Sequence, residues 1–375
     1  MEFIDLKSQY ARLKPSLKAR IDAVLERGAF IMGPEVAELE AALVAFTGAA
    51  HCVSCASGTD ALLLALMARG VGPGDAVLTT PFTFIATAEV IALLGATPVF
   101  VDVEPRTLNL DPARLDAAAA SLARGDKPSQ GSPAGLRPKG VIAVDIFGVP
   151  ADYDALAAVA KKHGLFLVED AAQSIGAAYK GRRAGALAPI AAASFYPAKP
   201  LGGYGDGGAV FASDAALAET MKSLRVHGQG SSQYDHARVG LNGRLDTLQA
   251  AVLLAKLEIF AEELALRQAA AERYDALLKG KVETPRVPAD VKSAWAQYAV
   301  QSDARADLLA KLKAGGVPTA IHYPIPLHLQ TAFASLGYEK GSCPVAEAAS
   351  ARIFSLPMHA YLAADQQEKI AALLG

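Results

Sequence analysis

The sequence predicts an α/β protein with a mainly parallel central sheet and a smaller α/β domain at its C-terminal end. From His51 onward, short runs rich in β-forming residues alternate with helical runs, which is the pattern of β-α-β units. A length of 375 residues accommodates one large and one smaller domain. We expect the large domain, with its N-terminal helices, over residues 1–250, and a connecting helix with the small domain over residues 251–375.

Composition and charge favour an enzyme that acts on small molecules. Hydrophobic residues make up 52% of the chain and charged residues 20%, and the net charge of -2 provides no field that would attract nucleic acid or an anionic membrane. The most apolar stretch, Val90–Val103, is interrupted by Gly95 and Pro98 and is too short to cross a bilayer. Residues 1–6 lack the basic start of a signal peptide. We therefore expect a cytoplasmic protein without nucleic-acid or membrane partners.

The chain begins with two amphipathic helical patterns, over Ser8–Arg27 and Pro34–Phe46. The connector between them, Gly28–Gly33, is unusually apolar for a loop. It could lie against a ligand, against a second subunit or under the core.

Cys52 and Cys55 form a C-x-x-C pattern within the first predicted strand, His51–Cys55. Residues three apart in a strand point to opposite faces, and no second Cys/His pair completes a tetrahedral site. We expect reduced core thiols and no metal.

The turn after this strand contains Ser57, Gly58 and Thr59 and leads into a helix. Its free N–H groups, its hydroxyls and the positive end of the helix dipole suit a phosphate group. An ordinary helix N-cap has the same residues, so both interpretations stay open.

A second strand, Ala76–Thr79, continues into Thr80–Thr87 and a helix, and a third strand covers Pro98–Asp102. Phe84, at the strand end, could stack on a planar ring or pack in the core. Residues 121–140 are rich in Ser, Pro, Gly and basic residues, which predicts a mobile surface loop without a function.

The next two predicted strands, Val141–Asp145 and Leu165–Asp170, flank a helix over Tyr153–Lys162. Asp170 therefore lies at the C-terminal end of a buried parallel strand, where open α/β sheets bind ligands. It could instead cap the following helix. Gln173 is close enough to reach the same ligand.

Lys199 lies between Pro197 and Pro200, after an apolar run and before five glycines within Gly202–Gly208. A desolvated lysine amine loses its proton and condenses with carbonyls, the attachment used by pyridoxal 5'-phosphate (PLP). A solvated loop lysine is the alternative. The Gly203–Gly208 stretch matches G-x-G-x-x-G, but a strand follows it where a dinucleotide site requires a helix.

Farther along, we expect helices over Asn242–Lys256 and Glu258–Leu278, then a strand over Ala296–Gln301, a helix over Ala304–Ala314 and two closing helices. His322 and Tyr323 lie between apolar residues and prolines. They could form a packed turn or a polar site.

Five segments together resemble the fold type I PLP enzymes, and within them the nucleotide-sugar aminotransferases of the DegT/DnrJ/EryC1/StrS family. The resemblance covers almost the whole chain, and its most specific segments are residues 55–62, 82–89, 168–174, 194–208 and 240–251.

The resemblance implies a role for each candidate residue. Lys199 would attach PLP as a Schiff base, Asp170 would pair with the ring nitrogen, and Gln173 would contact the phenolic oxygen. Phe84 would cover the ring face, although relatives often have tyrosine at this position. Four residues would hold the phosphate: Gly58, Thr59, Ser194 and, from the neighbouring subunit of a homodimer with shared sites, Asn242.

The implied activity is transfer of an amino group from glutamate to the keto carbon of a nucleotide-linked sugar. The likeness is greatest to enzymes that aminate C3 of UDP-2-acetamido-2-deoxy-3-oxo-glucuronate for surface polysaccharides such as O-antigen. Arg244 would neutralise the uronate carboxylate, or would be structural, since the family has arginine there whatever the sugar, and His322 and Tyr323 would line the sugar pocket. The alternatives are a neutral 3-keto or 4-keto sugar, a PLP-dependent sugar dehydratase and a non-catalytic regulator. Dehydratases of the family have histidine at the position of Lys199.

Overall fold

The computed structural model describes residues 1–375 and confirms the α/β class, with a central sheet of seven strands. The strand order is β1-β9-β8-β5-β4-β2-β3. The strands are β1 (His51–Cys55), β2 (Asp75–Thr79), β3 (Thr97–Phe100), β4 (Arg137–Val144), β5 (Phe166–Asp170), β6 (Ala178–Tyr179), β7 (Arg182–Arg183), β8 (Ile190–Ser194), β9 (Gly208–Ala212), β10 (Val291–Lys292), β11 (Tyr298–Gln301) and β12 (Ile353–Leu356).

Eleven α-helices surround and extend this sheet. They are α1 (Leu6–Arg27), α2 (Pro34–Thr47), α3 (Gly58–Ala68), α4 (Ala86–Leu93), α5 (Pro112–Ala123), α6 (Tyr153–Lys162), α7 (Ala215–Arg225), α8 (Thr247–Leu278), α9 (Arg305–Ala314), α10 (Pro344–Arg352) and α11 (Ala364–Leu373). No helix of the chain combines the length and the apolar character that a membrane span requires.

The sheet is parallel except at β9, which pairs antiparallel with both β1 and β8. β9 begins at Gly208, the last residue of the Gly203–Gly208 stretch, which confirms the predicted strand in the place where a dinucleotide site requires a helix. Parallel pairing brings the C-terminal ends of β2, β4, β5 and β8 to one edge of the sheet. Side chains that follow these strands are therefore neighbours although they are distant in sequence.

Both faces of the sheet are covered by apolar clusters, as expected for strands buried between helices. Cys52 and Cys55 lie in β1 and belong to clusters on opposite faces. Both thiols are free and buried, which confirms the interpretation of the C-x-x-C pattern as core packing.

The region of Asn242 differs from the prediction. Residues 247–278 form one continuous helix, α8, and Asn242 precedes it in an extended segment that bridges to Val226. The expected helix start at Asn242 was wrong because backbone hydrogen bonds to the end of α7 and to the turn after β1 hold this segment extended: Leu241 N donates to the Leu224 carbonyl, and Ala56 N donates to the Gly243 carbonyl. The expected domain boundary after residue 250 lies within α8.

The C-terminal part of the chain forms its own cluster around β11, β12, α9, α11 and the second half of α8. The strand β12 was missed in the sequence because Ile353–Leu356 follows α10 without a turn residue between them. The antiparallel pairing of β11 with β12 supports the segment that contains His322, since Ala320 also bridges to Ser355.

The loop predicted over residues 121–140 is shorter than expected. Its ends belong to α5 and β4, and its middle is fastened to the C-terminal part of the chain. Gly131 N and Ser129 Oγ both donate to the Leu336 carbonyl, at 3.1 Å and 2.6 Å. Polar composition did not reveal this packing because the partners are more than 200 residues away in sequence.

Candidate active site

The turn between β1 and α3 lies against the ends of β8 and β9. Ser57 caps α3, with its Oγ accepting from Asp60 N at 3.0 Å, and the N–H groups of Gly58 and Thr59 keep no partner in the chain. A Cβ atom added at Gly58 would lie 2.6 Å from the Ser194 Cβ atom. The N-cap and the anion-binding hypotheses are thus compatible: Ser57 is the cap, and Gly58, Thr59 and Ser194 surround a position suited to a phosphate.

Lys199 lies in a tightly fastened loop after β8. Its N–H donates to the Tyr196 carbonyl at 2.9 Å, and Gly203 N donates to the Phe195 carbonyl at 2.7 Å. A Cβ atom at Gly202 would be 2.5 Å from the Pro197 carbonyl oxygen, so this close approach requires glycine. The lysine side chain is half-buried, and desolvation lowers the pKa of its amine while the Asp170 charge opposes the shift.

Asp170 ends β5 with its side chain almost fully buried. One carboxylate oxygen, Oδ2, accepts from Thr87 Oγ1 at 2.8 Å, and the other accepts from Ala172 N at 3.2 Å. Burial raises the pKa of this carboxyl, whereas Thr87, Ala172 and the Lys199 charge lower it. The carboxylate and the lysine amine are thus close enough for each charge to shift the pKa of the other.

Gln173 is held on both sides of its amide. Its Oε1 accepts from Phe147 N at 2.6 Å, and its Nε2 donates to the Tyr323 hydroxyl at 3.2 Å. The Tyr323 hydroxyl is buried, which raises its pKa. The structure therefore brings Tyr323 to Gln173 across 150 residues of sequence, which local sequence patterns could not show.

His322 lies on the same segment, near the charge of Lys199. Its Nδ1 is 3.0 Å from Ser355 Oγ, a contact that fixes the ring plane. Desolvation, and then the nearby Lys199 charge, lower the pKa of the imidazole. His322 is therefore near the Lys199 charge, and Tyr323 is bonded to Gln173, so the segment contacts two of the candidate site residues.

Phe84 lies in the turn between β2 and α4, one helical turn before Thr87. Its side chain is 57% exposed, so it is not a core residue in this chain. A large apolar ring left open at this edge of the sheet is available to cover a planar ligand.

Asn242 and Arg244 lie apart from the lysine cluster. Arg244 Nη2 donates to Asn242 Oδ1 at 2.6 Å, and the buried Arg244 Nε has no partner. Both residues line a cavity of about 420 Å³, together with Ile31, Ala56, Gly205, Asp206, Asp246 and Gln249. Within one chain, the structure does not bring these two side chains into the cluster around Lys199.

The apolar connector Gly28–Gly33 borders this same cavity, because Thr247 N donates to the Phe30 carbonyl and Ile31 bridges to Asp246. Its side chains are not packed under the core: Phe30 is 47% exposed, Ile31 50% and Met32 42%. Of the interpretations open from the sequence, contact with a second subunit or a ligand remains.

Sequence reasoning did not single out Thr87 or Ser355, which orient Asp170 and His322. Thr87 follows Thr83 by one helical turn, and their hydroxyls are 3.2 Å apart, so this spacing offered a weak signal. Ser355 offered none, because it reaches His322 only through the pairing of the C-terminal strands.

PLP fits the residues present. The cradle of free N–H groups at Gly58 and Thr59 suits its phosphate, the half-buried Lys199 amine suits its carbonyl, and the buried Asp170 carboxylate suits its ring nitrogen. In the whole chain, no three His, Cys, Asp or Glu side chains are grouped as metal ligands.

A family model described as the DegT/DnrJ/EryC1/StrS aminotransferase family matches residues 12–374. The chain belongs to this family. It is 52% identical over 363 residues to the UDP-2-acetamido-2-deoxy-3-oxo-D-glucuronate aminotransferase of Pseudomonas aeruginosa, with 96% of each chain covered.

Two solved structures of relatives agree with this membership. A DegT/DnrJ/EryC1/StrS aminotransferase from Brucella abortus is 50% identical, with a TM-score of 0.95 and with 100% of this chain and 98% of that chain covered. NtdA from Bacillus subtilis, solved with the bound cofactor PMP (pyridoxamine phosphate), is 25% identical, with a TM-score of 0.86 and with 99% and 82% covered. This family member is therefore a PLP-dependent nucleotide-sugar aminotransferase with the fold type I architecture.

Proposed function

We propose that the enzyme transfers the amino group of glutamate to C3 of UDP-2-acetamido-2-deoxy-3-oxo-glucuronate. The likeness to the Pseudomonas aeruginosa aminotransferase named for this substrate, over 96% of both chains, carries the proposal. The polar segment of His322 and Tyr323 beside Lys199, and the guanidinium of Arg244, agree with a sugar that carries a carboxylate.

Bound PLP would supply a carbonyl and a ring that accepts electrons. Lys199 would hold it, with Gly58, Thr59 and Ser194 on its phosphate, Asp170 at its ring nitrogen, Gln173 at its phenolic oxygen and Phe84 over its face. Because burial favours the uncharged amine, Lys199 Nζ can remove the proton from Cα of glutamate and, in the second half-reaction, deliver a proton to C3 of the sugar. His322 and Tyr323 would donate hydrogen bonds to the sugar hydroxyls.

The Asn242–Arg244 segment supports a homodimer with shared sites. Its cavity is lined by Ile31, and the adjacent Phe30 and Met32 are exposed as well, which gives an apolar surface suited to a second copy. Asp206 and Asp246 also line the cavity, but Arg244 forms no salt bridge with either of them and its Nε has no partner, so the guanidinium keeps the capacity to bind an anion of a ligand. In the proposed dimer, Asn242 reaches the phosphate, and Arg244 the uronate, of the neighbouring subunit's site.

The cellular role follows from the substrate. A UDP-linked diamino uronate is a precursor for surface polysaccharides such as O-antigen, and we propose cytoplasmic action because nucleotide-linked sugars and glutamate are both available there. Detection of the diamino product in extracts of cells that express the enzyme, together with its location after cell fractionation, would test this role.

Conversion of Arg244 to lysine tests the substrate. Arg244→Lys should lower kcat/KM for the uronate roughly tenfold or more, because lysine keeps the charge but loses the two parallel hydrogen bonds. The loss for the matching 3-keto sugar with an uncharged C6 should be less than about threefold. Steady-state assays with both substrates and glutamate measure the difference.

The matched control is Arg238→Lys, since Arg238 is also an arginine near this segment but donates to Ser223 on the surface. Equal losses on both substrates for Arg244→Lys would contradict the uronate assignment. A wild-type preference for the uncharged sugar, or for a 4-keto sugar, would instead establish the neutral-sugar alternative.

Complementation between two inactive variants tests the shared site. Lys199→Ala and Asn242→Asp homodimers should both be inactive, the second because a carboxylate repels the phosphate. If Asn242 acts across the interface, one site of each mixed dimer contains both native residues, so random mixing should restore about a quarter of wild-type activity.

Subunit exchange is verified by mass spectrometry of differently tagged chains. If Asn242 served its own chain, every site in the mixed dimer would lack one residue. Persistent inactivity with exchange demonstrated would therefore rule out the shared site.

A further inference from the structure

Asp145 is a buried carboxylate that the proposed chemistry does not use. It follows β4 directly and lies beside the end of β5, where Asp145 N donates to the Asp170 carbonyl at 3.1 Å. The pairing of Val144 with Asp170 places the two acidic residues at the same edge of the sheet. Asp145 is fully buried, with no exposed surface.

Three donors converge on this carboxylate. Its Oδ1 accepts from Ala151 N at 3.0 Å and from the Tyr153 hydroxyl at 2.8 Å, and its Oδ2 accepts from Ser174 Oγ at 2.6 Å. Asp145 forms no salt bridge in the chain. Burying a carboxylate without a cation partner is costly, so hydrogen bonding alone keeps it in place.

The contact with Ser174 joins Asp145 to the segment Asp170–Ser174. Ser174 N donates to the Ala171 carbonyl at 3.0 Å, which closes this segment into a turn. The chain after Asp145 also holds the segment, because Phe147 N donates to Gln173 Oε1. The residues after β4 thus hold the turn after β5 through two hydrogen bonds, to Ser174 and to Gln173. The same turn contains the Asp170 carboxylate.

The charged and titratable groups that face Asp145 are Asp170 and Glu169 from β5 and Tyr153 from α6. Burial raises the pKa of Asp145, the hydrogen bonds from Ser174, Ala151 N and Tyr153 oppose the shift by favouring the ionised form, and the Asp170 charge adds to it. Two carboxylates in a dry environment repel each other, and a proton between or beside them reduces that repulsion. An ionised Asp145 therefore favours a proton held near Asp170.

We propose that Asp145 is a positioning residue for the aminotransferase reaction, which holds the Asp170–Ser174 turn so that Asp170 and Gln173 are placed to receive the cofactor ring. The inference rests on the proposed roles of Asp170 and Gln173. Asp145 itself contacts neither substrate nor cofactor and acts through Ser174 and through its charge.

Two substitutions separate the effect of the hydrogen bond between Ser174 and Asp145 from the effect of the Asp145 charge. Ser174→Ala removes the hydrogen bond and keeps the Asp145 charge, whereas Asp145→Asn removes the charge and is nearly isosteric. Titration of PLP into each apoenzyme should show affinity about tenfold weaker than wild type for both variants. The visible band of the bound cofactor should titrate at lower pH in Asp145→Asn only, because one nearby negative charge is lost.

The matched control is Glu169→Gln. Glu169 is an equally buried carboxylate one residue before Asp170, but it accepts from Gly185 N and Leu187 N, at 2.7 Å and 2.9 Å, on another loop. Glu169→Gln should bind PLP within about threefold of wild type. Equal losses of PLP affinity for Glu169→Gln and Asp145→Asn, at matched thermal stability, would overturn the proposal. The effect would then come from the removal of any buried carboxylate and not from the contact of Asp145 with the turn.

Asp170→Asn serves as the reference for the proposed function. If Asp170→Asn weakens PLP binding and shifts the cofactor band while Asp145→Asn does neither, the positioning role is wrong and the function stands. If Asp170→Asn itself binds PLP with wild-type affinity and an unshifted band, the role assigned to Asp170 fails, and the inference on Asp145 fails with it.

Discussion

Replacement of Lys199 by alanine is expected to abolish turnover while the fold is retained. Lys199 supplies both the amine that holds the cofactor and the base that moves the proton, so the rate should fall by at least about three orders of magnitude. Its loop is fastened through backbone groups, from Lys199 N to the Tyr196 carbonyl and from Gly203 N to the Phe195 carbonyl, and alanine leaves these intact.

Mass spectrometry after borohydride reduction measures the attachment directly: the wild-type chain should gain the mass of the cofactor, and the Lys199→Ala chain should not. Lys222→Ala is the matched control, because Lys222 is an exposed helix residue paired with Glu219. Full activity of the Lys199→Ala enzyme, or cofactor mass on another lysine, would disprove the central assignment.

Asp170→Asn is expected to have the second-largest effect, with kcat lowered roughly a hundredfold or more. Asparagine can keep the hydrogen bonds from Thr87 and Ala172 but has no charge to keep a proton on the ring nitrogen. The pKa of Lys199 should also fall further, because the Asp170 charge is what raises it against burial.

For Asp170→Asn, two quantities are measured: kcat with glutamate and the pH dependence of the rate of the first half-reaction. The rising limb of the pH profile should move to lower pH, because the lysine becomes easier to deprotonate. Asp154→Asn is the control, since Asp154 is an exposed carboxylate paired with Lys180 and Arg182. A pH profile of Asp170→Asn that matches the wild type would mean that the Asp170 carboxylate does not influence the pKa of Lys199.

Much of the site could be predicted because its signals are local. The Pro-flanked Lys199, the acid at the end of β5 and the Ser-Gly-Thr turn each need only a few consecutive residues to be recognised, and strand-to-helix alternation then places them at one edge of a parallel sheet. The helix α6 was predicted with its observed bounds, Tyr153–Lys162, since its apolar periodicity and its polar flanks agree.

The region of Asn242 could not be predicted in the same way. Its residues suit a helix, and Asn242 suits an N-cap, but the backbone partners of residues 241–247 lie in three other parts of the chain. Likewise, the predicted break between two helices near Leu257 is absent: α8 continues, and Glu258 accepts from Ser16 and pairs with Arg20 on α1. Tertiary contacts outweighed local preference in both cases.

The sequence by itself determined the α/β class and the bounds of elements such as β1 and α6, and it singled out Lys199 and Asp170 as the candidate lysine and acid, because hydrophobic periodicity and turn chemistry act over a few residues. Only the tertiary structure decided which side chains orient them. The contacts of Thr87 with Asp170, of Gln173 with Tyr323 and of Asp145 with Ser174 each join different elements. Such pairings depend on how the sheet edge brings distant segments together, and no short stretch of sequence encodes that arrangement.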